Sequence, residues 1–417
     1  MTHSGFRLVF VLFAILTITS ACSGGGGSSS DASGNGNGSS TVQACDPSST
    51  GLTALLPACS SENPCTRVAP ELSQASITEP TSEPVCHSNS WTEKLSQNVD
   101  GFKRYACLYR PPQTSENSKR PLVLWFHPGG EGSADLLAEQ THLLEKAETF
   151  DLTGDDARPG FVLAAIQGRN LRFPTLAPRD GRHHDFYFRD LASPSGNPDI
   201  ANADQVIDTL AAQGIIDVNK IYVMGWSNGA FFAQMYAIAR HETPTPGGYQ
   251  VAAGSVFAGG DPFGDIRWDP LNETEYSDGP SCQLTSYPVS AVPLQIVYRS
   301  CDAEVACNAQ QQSCFNSEPG YSTRSWLNDS GALGFSVQGD LIGGLEDGKT
   351  LDENASSCSD IGPSCLPVSC SILDPSDECL CLVNHLRWPD GVYDSAPEFS
   401  GQDPELDMLA FLRDNSR

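Results

Sequence analysis

The sequence predicts an α/β protein with a mostly parallel central sheet and helices on both faces. Apolar runs of strand length alternate with helix-length amphipathic stretches from about residue 95 to the C-terminal end. Several of those runs are apolar at consecutive positions, as strands buried on both faces require. Taken in order, residues 102–109 alternate and read as an edge strand. Residues 121–126 (Pro-Leu-Val-Leu-Trp-Phe) form a central strand, and residues 133–150 follow as one helix with Leu136, Leu137, Leu143 and Leu144 on its core face. Residues 160–167 are the next strand. Asp199 is the expected cap of a helix whose buried stripe is Ala203, Val206, Ile207 and Leu210. A strand at 221–224 and a helix at 230–239 come next, then strands at 251–257 and 293–298 and a closing helix at 404–412.

The first 94 residues read differently. Arg7 precedes an apolar run, Leu8 to Ile18, which is too short to span a membrane and has the form of a signal peptide, assigned to residues 1–21. It ends at Thr19-Ser-Ala-Cys22, as a bacterial lipoprotein signal does, so Cys22 is the expected lipid attachment point. The alternative is plain secretion with cleavage near Ala21. Residues 22–44 are dominated by Gly, Ser, Asn and Asp, a composition that buries too little apolar surface to fold and makes a tether. Residues 45–94 carry Cys45, Cys59, Cys65 and Cys86 among Pro, Ser and Glu and read as an irregular disulfide-stapled extension. Residues 95–417 form the main domain.

Fifteen cysteines, with Cys22 set aside for lipid, leave an even number, consistent with disulfides in a secreted or envelope-held protein. There is no C-x-x-C pair, and Cys379-Leu-Cys381 has no matching partner pair, so no metal and no cofactor is expected. With 24 basic against 51 acidic residues, the net charge of −27 argues against nucleic acid or an anionic membrane as partner. Membrane contact is expected only through the lipid on Cys22, and a monomer is expected.

The chemistry centres on Gly225-Trp-Ser-Asn-Gly229, a G-x-S-x-G turn between the strand and the helix. Such an elbow lifts a serine hydroxyl onto an exposed tip, which makes Ser227 the candidate nucleophile. Serine needs a base beside it and an acid behind the base. After Ser227 the chain has only His241 and His385. His241 closes the elbow helix, roughly 20 Å away by helix rise, so His385 is the candidate base. Asp302, just past the strand at 293–298, is the candidate acid, with Glu304 and Asp261 as rivals. The glycine-rich turn after residue 126, His127-Pro-Gly-Gly-Glu-Gly132, is where an oxyanion-binding loop belongs. Pro128 has no N–H, so Gly129 is the expected donor, failing that Gly130, with the Asn228 backbone N–H as its partner. The loop lacks the lysine of a phosphate cradle.

His127-Pro-Gly-Gly, the segment from Ile216-Asp217 to Tyr222-Val-Met-Gly-Trp-Ser-Asn-Gly-Ala, the turn Ser-Cys-Asp302-Ala-Glu-Val305 and His385 before Trp388-Pro389 resemble the polyhydroxybutyrate depolymerase and feruloyl esterase group of α/β-hydrolases. The resemblance spans about residues 95–417. It implies an α/β-hydrolase fold and a serine esterase acting on a polyester or on feruloyl-type esters through a Ser227, Asp302, His385 triad. Trp226 and Trp388 are then expected to line the substrate cleft, with core packing as the alternative. Phe186, Tyr187 and Phe188 read more readily as a buried anchor. A serine peptidase, or a non-catalytic binding protein on the same fold, are the other classes the residues permit. Cys301 beside Asp302, and Cys379 and Cys381 before His385, are expected to clamp the acid and base loops through disulfides.

Overall fold

A computed structural model describes residues 81–88, 90–99, 101–130, 132–155, 157–171, 181–186, 191, 193–263, 268–269, 274–275, 289–299, 323–342, 345–346, 349–350, 385, 387–389 and 403–417. The expected signal peptide, Cys22, the expected tether, Asp302, Glu304 and the expected cysteine clamps at Cys301, Cys379 and Cys381 lie outside the described residues.

An eight-stranded sheet runs through the molecule in the order β1-β2-β4-β3-β7-β8-β11-β12. These are Glu93–Val99 (β1), Phe102–Tyr109 (β2), Val162–Ile166 (β4), Arg120–Phe126 (β3), Ile216–Trp226 (β7), Ala253–Phe257 (β8), Pro293–Arg299 (β11) and Ser336–Ile342 (β12). Two antiparallel pairings, β1 with β2 and β2 with β4, open the sheet, and every later pairing is parallel. Short ladders join Arg169–Leu171 (β5) to Gly181–His183 (β6), and Trp268–Asp269 (β9) to Thr274–Glu275 (β10). The helices are Leu136–Gln140 (α1), Leu143–Thr149 (α2), Pro198–Ala212 (α3), Asn228–Glu242 (α4), Thr323–Ser330 (α5) and Pro404–Asp414 (α6). Every residue of β3, β4 and β8 is buried, as the consecutive apolar runs require.

Helices cover both faces. Adjacent strand residues point to opposite sides. Phe126 meets Phe232 and Tyr236 of α4. Trp125 meets Trp388, which is bonded to Glu405 of α6. Hence α4 and α6 flank opposite faces. This strand order, with a strand-elbow-helix at β7, is the α/β-hydrolase fold.

Several expectations need correction. The strand at 102–109 is not an edge, because β1 pairs outside it. β1 begins at Glu93, so a boundary at residue 95 falls inside a strand. The Cys86–Cys107 disulfide ties residue 86 to β2, and the Val85 and Cys86 N–H groups both donate to Asp135 at 2.7 Å. The end of the proposed extension is thus built into the domain. The helix expected over 133–150 is two helices broken at Thr141. There the Thr141 Oγ1 donates to Leu137 O and accepts from Leu143 N, and the His142 N–H leaves the helix ladder for Glu405 at 2.9 Å. The cap of α3 is Asn197, whose side chain accepts from Asp199 N and Ile200 N. Asp199 is instead buried beneath the helix start. The stripe Ala203, Val206, Ile207 and Leu210 is fully buried, as its spacing requires.

Candidate active site

The elbow is built by close approach. A Cβ on Gly225 would lie 2.2 Å from Gly229 O, and one on Gly229 would lie 2.1 Å from Phe126 O. Glycine at both places lets α4 start directly against β7 and β3. Between them Ser227 takes φ 54° and ψ −120°, a conformation L-residues avoid. Its N–H donates to Phe257 O of β8 at 3.1 Å, and its C=O accepts from Ala230 N and Phe231 N. The strained residue is thereby fixed from both sides.

Ser227 is partly exposed, and its hydroxyl stands 2.7 Å from Nε2 of His385. The two residues are 158 positions apart in sequence. For Nε2 to accept the hydroxyl proton, the ring proton must sit on Nδ1. His385 is itself buried and is held by its backbone: its C=O accepts the Trp226 indole N–H at 2.8 Å. Of the two rival acids, Glu304 lies outside the described residues. Asp261 is buried after β8, with one carboxylate oxygen accepting from Phe263 N at 2.8 Å. His241 bonds Val251 O through Nδ1 at the far end of α4.

Trp226 and Trp388 do not line a cleft. They are 0% and 1% exposed and pack edge-on with ring centroids 6.0 Å apart. The Trp388 indole N–H donates to Glu405 at 2.7 Å. Glu405 is buried, which pushes its carboxyl above the usual range, and Lys146 and His142 N bond the same carboxylate. The two indoles therefore hold the base segment against the core. Phe186 is buried and stacked on Phe231, an anchor as expected; Tyr187 and Phe188 lie outside the described residues.

The loop after β3 lies beside the elbow. A methyl group on Gly129 would come within 3.3 Å of the Asn228 Cβ. The Gly130 N–H is directed to His183 Nε2 at 3.2 Å. That engagement leaves the Gly129 N–H as the loop's candidate donor, opposite the Asn228 N–H at the start of α4. Beneath the loop, His127 receives the Gly168 N–H on Nε2 and bonds Pro128 O through Nδ1. Burial pushes it down to about 3. His184 packs on it with ring centroids 4.5 Å apart and is held well below the ordinary histidine range by burial. Both rings are neutral at pH 7.

A buried ionic cluster supports this side. Arg169 bonds Asp185 at 3.0 Å and Asp199 at 3.1 Å, Arg104 also bonds Asp199, and all four side chains are at most 4% exposed. Burial alone would raise the Asp199 carboxyl; Arg169 and Arg104 bring it below the usual carboxylate range instead. The one proximity of metal-ligating side chains among the described residues is Cys86, Cys107 and Asp135, and those sulfurs are joined as a disulfide.

No family model matches the chain, and no curated protein matches it. Solved structures share its outline. A thermophilic esterase from the planctomycete Thermogutta terrifontis is 16% identical, with 64% of this chain aligned to 86% of that one at a TM-score of 0.40. A bacterial heroin esterase is 17% identical, covering 60% of this chain and 74% of its own, with a TM-score of 0.36. A thermostable esterase is 18% identical over 61% of this chain and 55% of its own, at 0.34. At TM-scores of 0.40 and below these likenesses carry no argument, and both fold and chemistry rest on this chain's own strand order and residues.

Proposed function

We propose that the protein is a carboxylic ester hydrolase working through a serine acyl-enzyme. The observation that carries this is the strained Ser227 with its hydroxyl 2.7 Å from His385 Nε2, beside a glycine-rich loop. The Ser227 oxygen attacks the ester carbonyl carbon while its proton passes to Nε2. The carbonyl electron pair moves onto oxygen, where the Gly129 and Asn228 N–H groups stabilise it. Collapse of that intermediate breaks the bond to the alcohol, which leaves with the proton from His385. Water then repeats the sequence, releasing the acid and regenerating Ser227. Asp302 is the proposed acid that holds His385 in the required tautomer.

The sequence resemblance favours a polyester or a feruloyl-type ester as substrate, and the leader favours an envelope-held protein lipidated at Cys22. Nitrophenyl esters of rising chain length, polyester film, feruloyl sugars and peptides form the test panel. Ester cleavage that disappears in Ser227→Ala is the expected result; retained cleavage would overturn the reading, and cleavage of peptides alone would replace it. Asp302→Asn should lower kcat about 10³- to 10⁴-fold. An equal loss in Asp261→Asn with Asp302→Asn unaffected would move the acid to Asp261. Mass spectrometry of the mature N-terminus checks for lipid on Cys22.

A further inference from the structure

The two oxyanion donors sit on separate elements, Gly129 on the loop after β3 and Asn228 on the first turn of α4. Nothing in the covalent chain fixes their separation, because nearly a hundred residues lie between them. The structure spans the gap with a third segment, residues 181–184. The Asn228 side chain grips this segment with both ends of its amide. Its Oδ1 accepts the His184 N–H at 2.8 Å, and its Nδ2 donates to His184 O at 3.1 Å. One residue earlier, the His183 ring lies against Gly129 and its Nε2 receives the Gly130 N–H. Arg182 adds two bonds to the same loop, from its N–H to Gly130 O at 2.8 Å and from its guanidinium to Gly132 O. The His184 ring, sandwiched among Phe126, Phe232 and His127, keeps the segment from sliding.

We infer that the Asn228 side chain and the His183 imidazole are positioning residues that set the distance between the two oxyanion donors. The inference rests on the esterase reading and deepens it. Asn228 then has two separate duties. Its backbone N–H faces the developing oxyanion, while its side chain docks the segment that carries the partner donor. His183 also diverts the Gly130 N–H, so the loop presents one donor rather than two competing ones. An acceptor at the Nε2 position is what this requires, and a glutamine carbonyl reaches about as far.

The test compares Asn228→Ala, His183→Ala and His183→Gln with wild type in the full-length protein. A loosened donor pair stabilises the tetrahedral intermediate less and leaves ester binding nearly untouched. Each alanine variant should lose about 10- to 100-fold in kcat with KM changed less than about threefold. Affinity for a trifluoromethyl ketone, whose adduct carries the oxyanion, should fall by the same factor. His183→Gln should recover most of both. The double alanine variant should lose less than the product of the singles, because both act on one loop. Thermal melts accompany each variant, and if His183→Ala does not fold, Asn228→Ala and His183→Gln decide. Wild-type kcat in Asn228→Ala, or a loss confined to KM, overturns the inference while Ser227→Ala stays inactive. Activity in Ser227→Ala would instead remove the esterase reading on which it stands.

Discussion

The two walls of the site are held by different physics. On the oxyanion side, a buried web of ions and backbone hydrogen bonds runs from Arg104 and Asp199 through Asp185 to the 181–184 segment and the loop after β3. On the base side, His385 is placed by aromatic packing and two indole N–H bonds, Trp226 to His385 O and Trp388 to Glu405. Polar webs have directional minima and tolerate little displacement, but each member left alone is costly. Aromatic packing instead holds through many dispersive contacts with preferred edge-to-face angles, none of which leaves a buried charge when lost. The proposed oxyanion donors thus sit on the polar web, and the candidate base on the aromatic packing.

The difference can be broken first at Asp199. Asp199→Asn leaves Arg104 and Arg169 buried with one carboxylate fewer, and should cost about 3–5 kcal/mol. Urea denaturation at pH 7 measures it, and a midpoint shift with unchanged slope is expected. A cost below about 1 kcal/mol would mean the web is not what holds that wall.

Acid should loosen the same wall next. His127 and His184 bind protons more weakly folded than unfolded, so the unfolded chain gains protons first as pH falls below about 6.5. Stability is present above that pH and declines as pH falls below it, for His127 down to about 3, at up to roughly 1.4 kcal/mol per pH unit for each ring. Asp199 titrates below its ordinary range and stays charged throughout the upper part of this window, while Glu405, raised by burial, works in the opposite direction. Melting temperatures from pH 7 to 5.5 should fall in wild type. The fall should be shallower in His184→Phe, since neither nitrogen of that buried ring has a hydrogen-bond partner among the described residues. Identical slopes would exclude His184 as a contributor.

The smallest effect is expected on the aromatic side. Trp226→Phe retains an aromatic ring but removes the N–H that holds His385 O and leaves a small void, so kcat should drop about tenfold with KM little changed and the melting temperature lowered. A stopped-flow acylation burst locates the loss in the chemical step. An unchanged burst rate would show that packing alone places the base.

The elbow and the histidine that meets its serine were legible because each is marked locally: two glycines around a serine, and a single histidine beyond the elbow helix. The buried central strands were legible from apolar runs. β1 and β12 were not, since their sequences, Glu-Lys-Leu-Ser-Gln-Asn-Val and Ser-Val-Gln-Gly-Asp-Leu-Ile, are largely polar and take their shape from a neighbouring strand. The helix break at Thr141 depends on Glu405, 263 residues beyond His142, and no local signal announces it. Trp226 and Trp388 were placed in the cleft because they flank the catalytic residues in sequence. Strand alternation sends the side chain of Trp226 to the sheet face opposite its neighbour's backbone turn, where it meets Phe257 and Trp388. The double grip of Asn228 on His184 was likewise invisible, because it joins positions 44 apart through one amide.

Cys86 has a mechanical consequence for a chain pulled by its N-terminal end. Upstream of it, Ser82 is already bonded to Asn170 and the Val85 N–H to Asp135, and tension that passes these reaches the sulfur and crosses covalently to Cys107 of β2. There Cys107 sits between Lys94 on one neighbouring strand and Ala165 on the other. Load applied at that point is shared between the ladders on both sides of β2. β7 and its serine lie beyond β4 and β3 in the sheet. Load taken up at β2 is thus separated from the candidate nucleophile by two intervening strands.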